Sequence, residues 1–430
     1  MIDWATPESA TAFLAPPSPP GAPHMGSLYT WSLLDSLRRT AVHLGEPCGL
    51  PQSWNMSSRR LESTFGSDPA GYAEYSRTAV TDAVAAMAGF GIEMSRTVAL
   101  RDDLPEIRGH IRAIITEMAD SGRIRQLPAE EKWCIDCQLA LPPTATTETC
   151  FKCHQPLRLQ TTIDWFLPLD VAMVLRRAAE INWFPAYAVR RLQALGDVHP
   201  LLRVSHQNRT IGVPSPLRNG DIVDPRLAGA LGPSVLRRLG IGGLIVVVAG
   251  FDIQRKWLLP LLSANPSSAL PAAVVNHGTL LDMSGRKLSR YSGASLADVP
   301  TDVEPCVVRA ALLATPLGRD LPVSELSTAG ASRLRQKVLN CGRFLTMQVP
   351  TGMGGVDLDA ELDAALRGVE EFIRRSDPAR GYSAFRRVIT HDLSSHLIPE
   401  VRRRGLARHY DLGRITSLHQ VFFGDDPVLQ

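Results

Sequence analysis

The sequence predicts an α/β protein: a mostly parallel sheet flanked by helices, interrupted by a small cysteine-bearing module and followed by a helical bundle. Three observations carry this expectation. An apolar run, a Pro/Gly turn and an amphipathic helix open the chain. Two continuous β-branched runs, 244–250 and 272–276, lie far downstream. Beyond about residue 300 the apolar residues recur at helical spacing. Continuous apolar runs suit strands buried on both faces, as in parallel sheets.

In chain order, Ala10, Ala12, Phe13, Leu14 and Ala15 run into Pro16-Pro17-Ser18-Pro19-Pro20-Gly21, a buried strand ending in a rigid turn. Leu28, Trp31, Leu34, Leu37 and Val42 then mark one face of a helix over about 25–44. Strand, turn and helix together are the opening of a nucleotide-binding α/β fold. Further amphipathic helices are expected over 79–90 and 104–118. From Arg125 to about 168 the cysteine pairs replace helical periodicity, and 171–195 returns to it. The last helices are expected over 307–315, 332–347, 358–375 and 382–403. Four regions follow: 1–125 and 201–300 as two halves of the sheet domain, 126–200 as an insertion, and 301–430 as a bundle appended to that core.

The 430 residues are 44% hydrophobic, enough for two or three packed domains, which excludes disorder as the dominant state. Lys and Arg number 46 against 43 acidic residues, so the chain is no DNA-coating protein, although local RNA or phosphate contact stays open. Only five of the basic residues are Lys, which makes each Lys worth asking about. The longest apolar run, 241–251, falls short of the roughly 18 residues a membrane span needs. The start lacks a basic region followed by an apolar one, so no export signal is expected. Seven Cys, four of them in CxxC pairs, read as a reducing compartment with a metal site. A soluble cytoplasmic protein is the expectation.

Cys134-x2-Cys137 and Cys150-x2-Cys153 present four thiolates from two tight turns, the tetrahedral set that Zn²⁺ takes in closed structural sites. His154 adjoins the second pair and reads as a surface residue. At the first strand–helix turn, Gly21-Ala-Pro-His24-Met25-Gly26-Ser27 sets backbone N–H groups, a Gly and a His where an anion is favoured. A turn that only caps a helix is the alternative. Gly250-Phe-Asp252-Ile-Gln254 ends the most apolar strand, at the edge where open α/β sheets bind ligands. An ordinary helix cap by Asp252 is equally good chemistry. After His277-Gly278, the loop Asp282-Met-Ser-Gly-Arg-Lys287-Leu288-Ser289-Arg290-Tyr291 carries an ammonium, hydroxyls and a guanidinium, a set suited to a triphosphate. A solvated basic turn is its alternative.

In this order the pieces resemble the class I aminoacyl-tRNA synthetases of the methionyl, isoleucyl, valyl and leucyl subgroup. His24-Met-Gly-Ser27 is similar to the HIGH motif and Lys287-Leu-Ser-Arg-Tyr291 to KMSKS. Gly250-x-Asp252 is similar to the strand-end ATP contact. Ser205-His206-Gln-Asn-Arg-Thr-Ile-Gly212-Val-Pro214 is similar to the SRQ…WG…IP stretch, and Trp165-Phe166 with the cysteine module resembles the connective insertion. The resemblance implies a Rossmann-type (HUP-like) catalytic domain, a compact methionyl-type paralogue, and activation of an amino acid by ATP to an aminoacyl-adenylate. It implies His24, Ser27, Lys287 and Arg290 as catalytic, and Pro17, Gly26, Gly250, Asp252, Gln254, His277 and Ser289 as ATP contacts. Phe13, Ala15, Trp54, Asn55 and His206 would meet the amino acid. The implied cofactors are ATP, Mg²⁺ and a structural Zn²⁺ on Cys134, Cys137, Cys150 and Cys153.

Two departures bear on activity. Ser27 stands where HIGH has its second His, and a hydroxyl is the weaker donor. Asn55 stands where the isoleucyl-type PGWD motif has an Asp that pairs with the substrate's ammonium; an amide keeps a hydrogen bond and loses the charge. The space between the core halves is too short for an editing domain, and the bundle resembles only the beginning of an anticodon-binding domain. Arg374, Arg375, Arg386, Arg387, Arg402, Arg403 and Arg404 read as a solvated charged face before an RNA contact. The expected acceptor is therefore a small hydroxylated molecule, such as an N-hydroxylated amine, in a biosynthetic pathway, with a separate cupin-type partner enzyme. A compact tRNA ligase and a non-catalytic nucleotide- or RNA-binding relic are the alternatives.

Overall fold

The computed structural model describes residues 10–17, 24–49, 51–57, 59–94, 99–136, 139–141, 147–150, 153–193, 201–206, 210–241, 243–288, 303–347, 360–404 and 412–426. The chain opens with β1 (Thr11–Leu14), α1 (Met25–His43), β2 (Cys48–Gly49), β3 (Gln52–Trp54), α2 (Arg59–Phe65), α3 (Pro69–Ala88), β4 (Ala99–Arg101) and α4 (Pro105–Asp120). Next come β5 (Arg125–Cys134), β6 (Leu139–Leu141), β7 (Arg158–Pro168), α5 (Val171–Ala179), β8 (Asn182–Phe184), α6 (Ala188–Gln193) and β9 (Leu201–Arg203). After β10 (Ser205–His206) and β11 (Ile222–Val223) follow α7 (Pro225–Ala230), α8 (Gly232–Arg238), β12 (Ile245–Gly250), α9 (Leu259–Ala264) and β13 (Ala273–His277). The rest is helical: α10 (Pro305–Leu313), α11 (Thr328–Met347), α12 (Ala360–Arg374), α13 (Pro378–Arg387), α14 (Ile398–Arg404) and α15 (Gly413–Phe423).

The central sheet is parallel throughout, in the order β2-β1-β12-β13-β8. Ala12 pairs with Ile245, and Gly250 with His277, so the carboxyl ends of β1, β12 and β13 share one edge. Side chains alternate across this sheet as a two-residue period demands. Ala12, Leu14, Val247, Ala249 and Val274 pack with α4, α5 and α7–α9. Phe13, Ala15, Val248 and Val275 pack under α1 and the C-terminal helices. The fold is thus a Rossmann-type α/β sandwich, buried on both faces. The C-terminal bundle packs directly on the core. It shares one apolar cluster with α1, and the buried Arg309 of α10 donates to Asp35 of α1 at 2.6 Å.

Residues 125–203 build a second, largely antiparallel sheet, ordered β6-β5-β7-β9, with β5 and β7 paired from Arg125↔Phe166 to Trp133↔Arg158. The stretch 171–195, expected to be helical, splits into α5, β8 and α6. The break falls where Ile181, Trp183 and Phe184 bring β-branched and aromatic residues ahead of Pro185, a context that disfavours helix. The long helix expected over 382–403 is α13 and α14 joined by a wider π-helical segment, Val388–Leu397, and α15 was not foreseen. Among the described residues no helix is long and apolar enough to cross a membrane.

Candidate active site

Three strand ends and one helix start meet at the carboxyl edge of the central sheet. His24 caps α1: its Nδ1 accepts from Gly26 N at 3.1 Å. A ring nitrogen that accepts carries no hydrogen, so the neutral ring keeps its proton on Nε2. This fold-back needs Gly26, because a Cβ there would lie 2.9 Å from His24 Cε1. Ser27 is half-buried on the same first turn.

Behind His24, Thr30 reaches from α1 to His277 at the end of β13, with Oγ1 2.8 Å from Nε2. His277 Nδ1 lies 2.7 Å from Gly278 O, and a carbonyl only accepts, so the proton is on Nδ1. Burial pushes the His277 pKa down and keeps the ring neutral, so Nε2 is bare and Thr30 donates to it. His277 is therefore a neutral strut between α1 and the sheet. Next to it, a Cβ on Gly250 would meet Asp252 Oδ1 at 2.6 Å and His277 Cε1 at 3.0 Å. The glycine is what lets Asp252 turn back over the strand end. Lys287 Nζ donates to Asp252 Oδ2, and this ion pair pins the late loop to the end of β12. Because β1 and β12 are adjacent and parallel, the His24 turn and Lys287 lie along the same edge. Gln254 is buried and donates to Asn276, inside the fold. Ser289 and Arg290 lie outside the described residues.

A narrow pocket adjoins this edge. Pro17, Ser53, Trp54, Asn55 and Asp102 line one side, and Leu100, Ile107, Ile111, Pro225 and Gly229 belong to its wall. Asn55 Oδ1 accepts from Ser57 N at 3.1 Å, which fixes the amide so that Nδ2 is the group left to offer donors. Asp102 Oδ1 accepts from Met56 N at 2.5 Å, and its Oδ2 accepts from Ser57 Oγ. Burial raises the Asp102 pKa to about 6, against the opposing bonds from Ser57 and Met56. Sequence reasoning missed Asp102. An Asp-Asp pair ahead of Pro105 reads as a helix start, and nothing local marks one of the two as buried. Phe13 and Ala15 are buried in the face under α1, and Pro17 is the residue of that turn that reaches the pocket. His206 holds Asp224 at 2.7 Å, and Asp224 caps α7, the helix that supplies Pro225 and Gly229.

The cysteines converge elsewhere. Cys134, Cys150 and Cys153 bring their sulfurs within 4.8 Å of one another, two of them buried, while Cys137 lies outside the described residues. Cys134 Sγ and Cys153 Sγ are 3.5 Å apart, and His154 is exposed on a left-handed turn at φ 60°. Three converging thiols fit a tetrahedral thiophilic ion such as Zn²⁺, which would clamp the tip of the β5–β7 ribbon. The ten-residue β5 separates that tip from the core by about 30 Å at strand rise. None of the three cysteines lines the pocket at the sheet edge.

No known family model matches the sequence. Among curated proteins, the valine–tRNA ligase of Methanosarcina mazei is 29% identical over 91 residues, a match covering 21% of this chain and 8% of that protein. Among solved structures, Mycobacterium tuberculosis methionyl-tRNA synthetase bound by methionyl-adenylate superposes with a TM-score of 0.69 at 16% identity, over 96% of this chain and 88% of that one. A second structure of that synthetase, also in complex with methionyl-adenylate, gives 0.70 at 15% over the same shares.

Proposed function

For a chain with the fold of the class I aminoacyl-tRNA synthetases, we propose that it activates an amino acid with ATP and passes the acyl group to a hydroxyl acceptor. The observation that carries this reading is the Lys287–Asp252 pair at the end of β12, on the same edge as the His24 turn. In this reading an amino-acid carboxylate oxygen attacks the α-phosphorus of ATP. The bond to the bridging oxygen breaks, and pyrophosphate leaves with the electron pair. Charge builds on the phosphates, where preorganised donors act most strongly. His24 through Nε2 and Ser27 through its hydroxyl serve the phosphates from the start of α1. Lys287 exchanges Asp252 for the leaving pyrophosphate, and the released Asp252 accepts from ribose hydroxyls. Arg290 and Ser289 would join from the same loop, and Mg²⁺ arrives on the nucleotide. The amino acid enters at the Trp54–Asn55 pocket, a narrow cleft that has to widen to seat an apolar side chain against Leu100, Ile107 and Ile111.

For the second half, an acceptor hydroxyl attacks the acyl carbon and AMP departs. We favour a small hydroxylated acceptor over tRNA. What supports this is the state of the bundle's arginines: Arg374 and Arg375 face Glu371, Arg414 faces Glu370, and Arg402 stacks on Phe344. These four compensate carboxylates or cover a ring on their own chain, whereas Arg386, Arg387 and Arg403 are exposed on their helices.

The test supplies Mg²⁺, ATP and single amino acids, and measures pyrophosphate release with total tRNA, with N-hydroxylated amines, or with no acceptor. The expected result is amino-acid-dependent pyrophosphate accelerated by the small acceptor. Acceleration by tRNA alone would make the chain a tRNA ligase. No turnover with any amino acid would leave a nucleotide-binding relic.

A further inference from the structure

Seven carboxylates are buried among the described residues: Asp35, Asp102, Glu131, Asp164, Asp221, Asp224 and Asp426. Six of them have an arginine at ion-pair distance. Asp35 has Arg309, Glu131 and Asp164 share Arg203, Asp224 has Arg226, and Asp426 has Arg335. The longest of these pairs, Asp221 with Arg218, is 3.7 Å. This is the ordinary rule for buried charge: it is paired or it is costly. Asp102 alone has no such partner among the described residues. The nearby Arg108 spends its Nε on the Asp102 backbone carbonyl at 3.2 Å.

Asp102 is also the one charged residue among the described residues that line the pocket. Met56 N and Ser57 Oγ take two of the roughly four acceptor positions a carboxylate offers, and the rest are open to a ligand. Beside it in the pocket lining, Asn55 presents donors, because its oxygen is committed to Ser57. An acceptor anion beside an amide donor matches a ligand that brings an ammonium next to a carboxyl oxygen.

We infer that Asp102 receives the ammonium group of the amino acid, supplying the charge that Asn55 lacks. This rests on the amino-acid-activation reading and deepens it. The charge has moved from the end of β3 to the end of the paired strand β4. Asp102 fixes the orientation of the substrate; it does no chemistry on the reacting atoms.

The test measures exchange of labelled pyrophosphate into ATP, with the twenty amino acids supplied singly, for wild type, Asp102→Asn and the swap Asn55→Asp/Asp102→Asn. The expected result for Asp102→Asn is an amino-acid KM raised about 100-fold, as when a buried charge loses its partner. The ATP KM should be unchanged, the swap should recover most of the loss, and Asp102→Asn should melt no lower than wild type at pH 8. An unmoved amino-acid KM overturns the assignment. So does a loss that the swap does not recover, or one that comes with a lowered melting temperature, since either marks a structural role. Absence of exchange by wild type with every amino acid overturns the activation reading itself, and this inference falls with it.

Discussion

Asp252 and Asp102 each follow the carboxyl end of a parallel strand, yet they are built in opposite ways. Asp252 is partly exposed and already holds a cation of its own chain, Lys287. Asp102 is 6% exposed and holds only neutral donors. The difference tells which partner each awaits. A surface ion pair contributes little and exchanges readily, so Lys287 and Asp252 are free to part when a phosphate and a ribose arrive. A buried carboxylate without a cation is a standing cost, offset only when a ligand brings the charge. One carboxylate is latched to a cation of its own chain and the other holds only neutral donors, and the proposed adenylate would span both.

Lys287→Ala attacks the nucleotide side of this contrast and carries the largest expected effect. The rate of pyrophosphate exchange should fall by about 10²–10³, the usual loss for one preorganised donor to a developing anion. The amino-acid KM should stay where it is. A change in that KM comparable to the change in rate would break the division of labour between the two carboxylates.

A smaller effect sharpens the buried side. The folded-state pKa of Asp102 is raised from 3.8 to about 6 by burial. Between those values the native state holds a proton that the unfolded chain has released, so stability falls as pH rises through this window and stays low above it. The shift corresponds to roughly 3 kcal/mol. Asp102→Asn removes that penalty, so its melting temperature should exceed wild type by a few degrees at pH 8 and match it near pH 4. Thermal melts at the two pH values read this directly, and a lower melting temperature at pH 8 would contradict it.

The smallest effect on chemistry is expected at the cysteine cluster, which serves neither carboxylate. Cys150→Ser should take bound zinc from near one per chain to near zero and loosen the 125–168 ribbon. Both Michaelis constants should remain within about twofold, because none of the three cysteines lines the Trp54–Asn55 pocket or contacts the Lys287–Asp252 pair. Elemental analysis together with exchange kinetics checks both statements.

How much of this was legible in the sequence depends on the range of the interaction. The runs 244–250 and 272–276 were readable as buried strands because each carries its own signal, and they are β12 and β13. The three-residue β8 was not, because its strand character comes from pairing with β13 and not from its own periodicity. Lys287 was singled out by rarity and by its loop, but its pairing with Asp252 is tertiary. The contact of His277 with Thr30, 247 residues away, is tertiary, and no local pattern reports it. Asp102 was hidden for the same reason: its meaning lies in the ion pair that its carboxylate does not make among the described residues.

The central claim is that one crevice assembles an aminoacyl-adenylate from ATP and an amino acid. Native mass spectrometry of the chain after incubation with Mg²⁺, ATP and the twenty amino acids tests it most directly. The account predicts a complex heavier than the free protein by one aminoacyl-AMP, retained in wild type and lost in Lys287→Ala. A spectrum holding only ATP or AMP adducts, with every amino acid present, would contradict it.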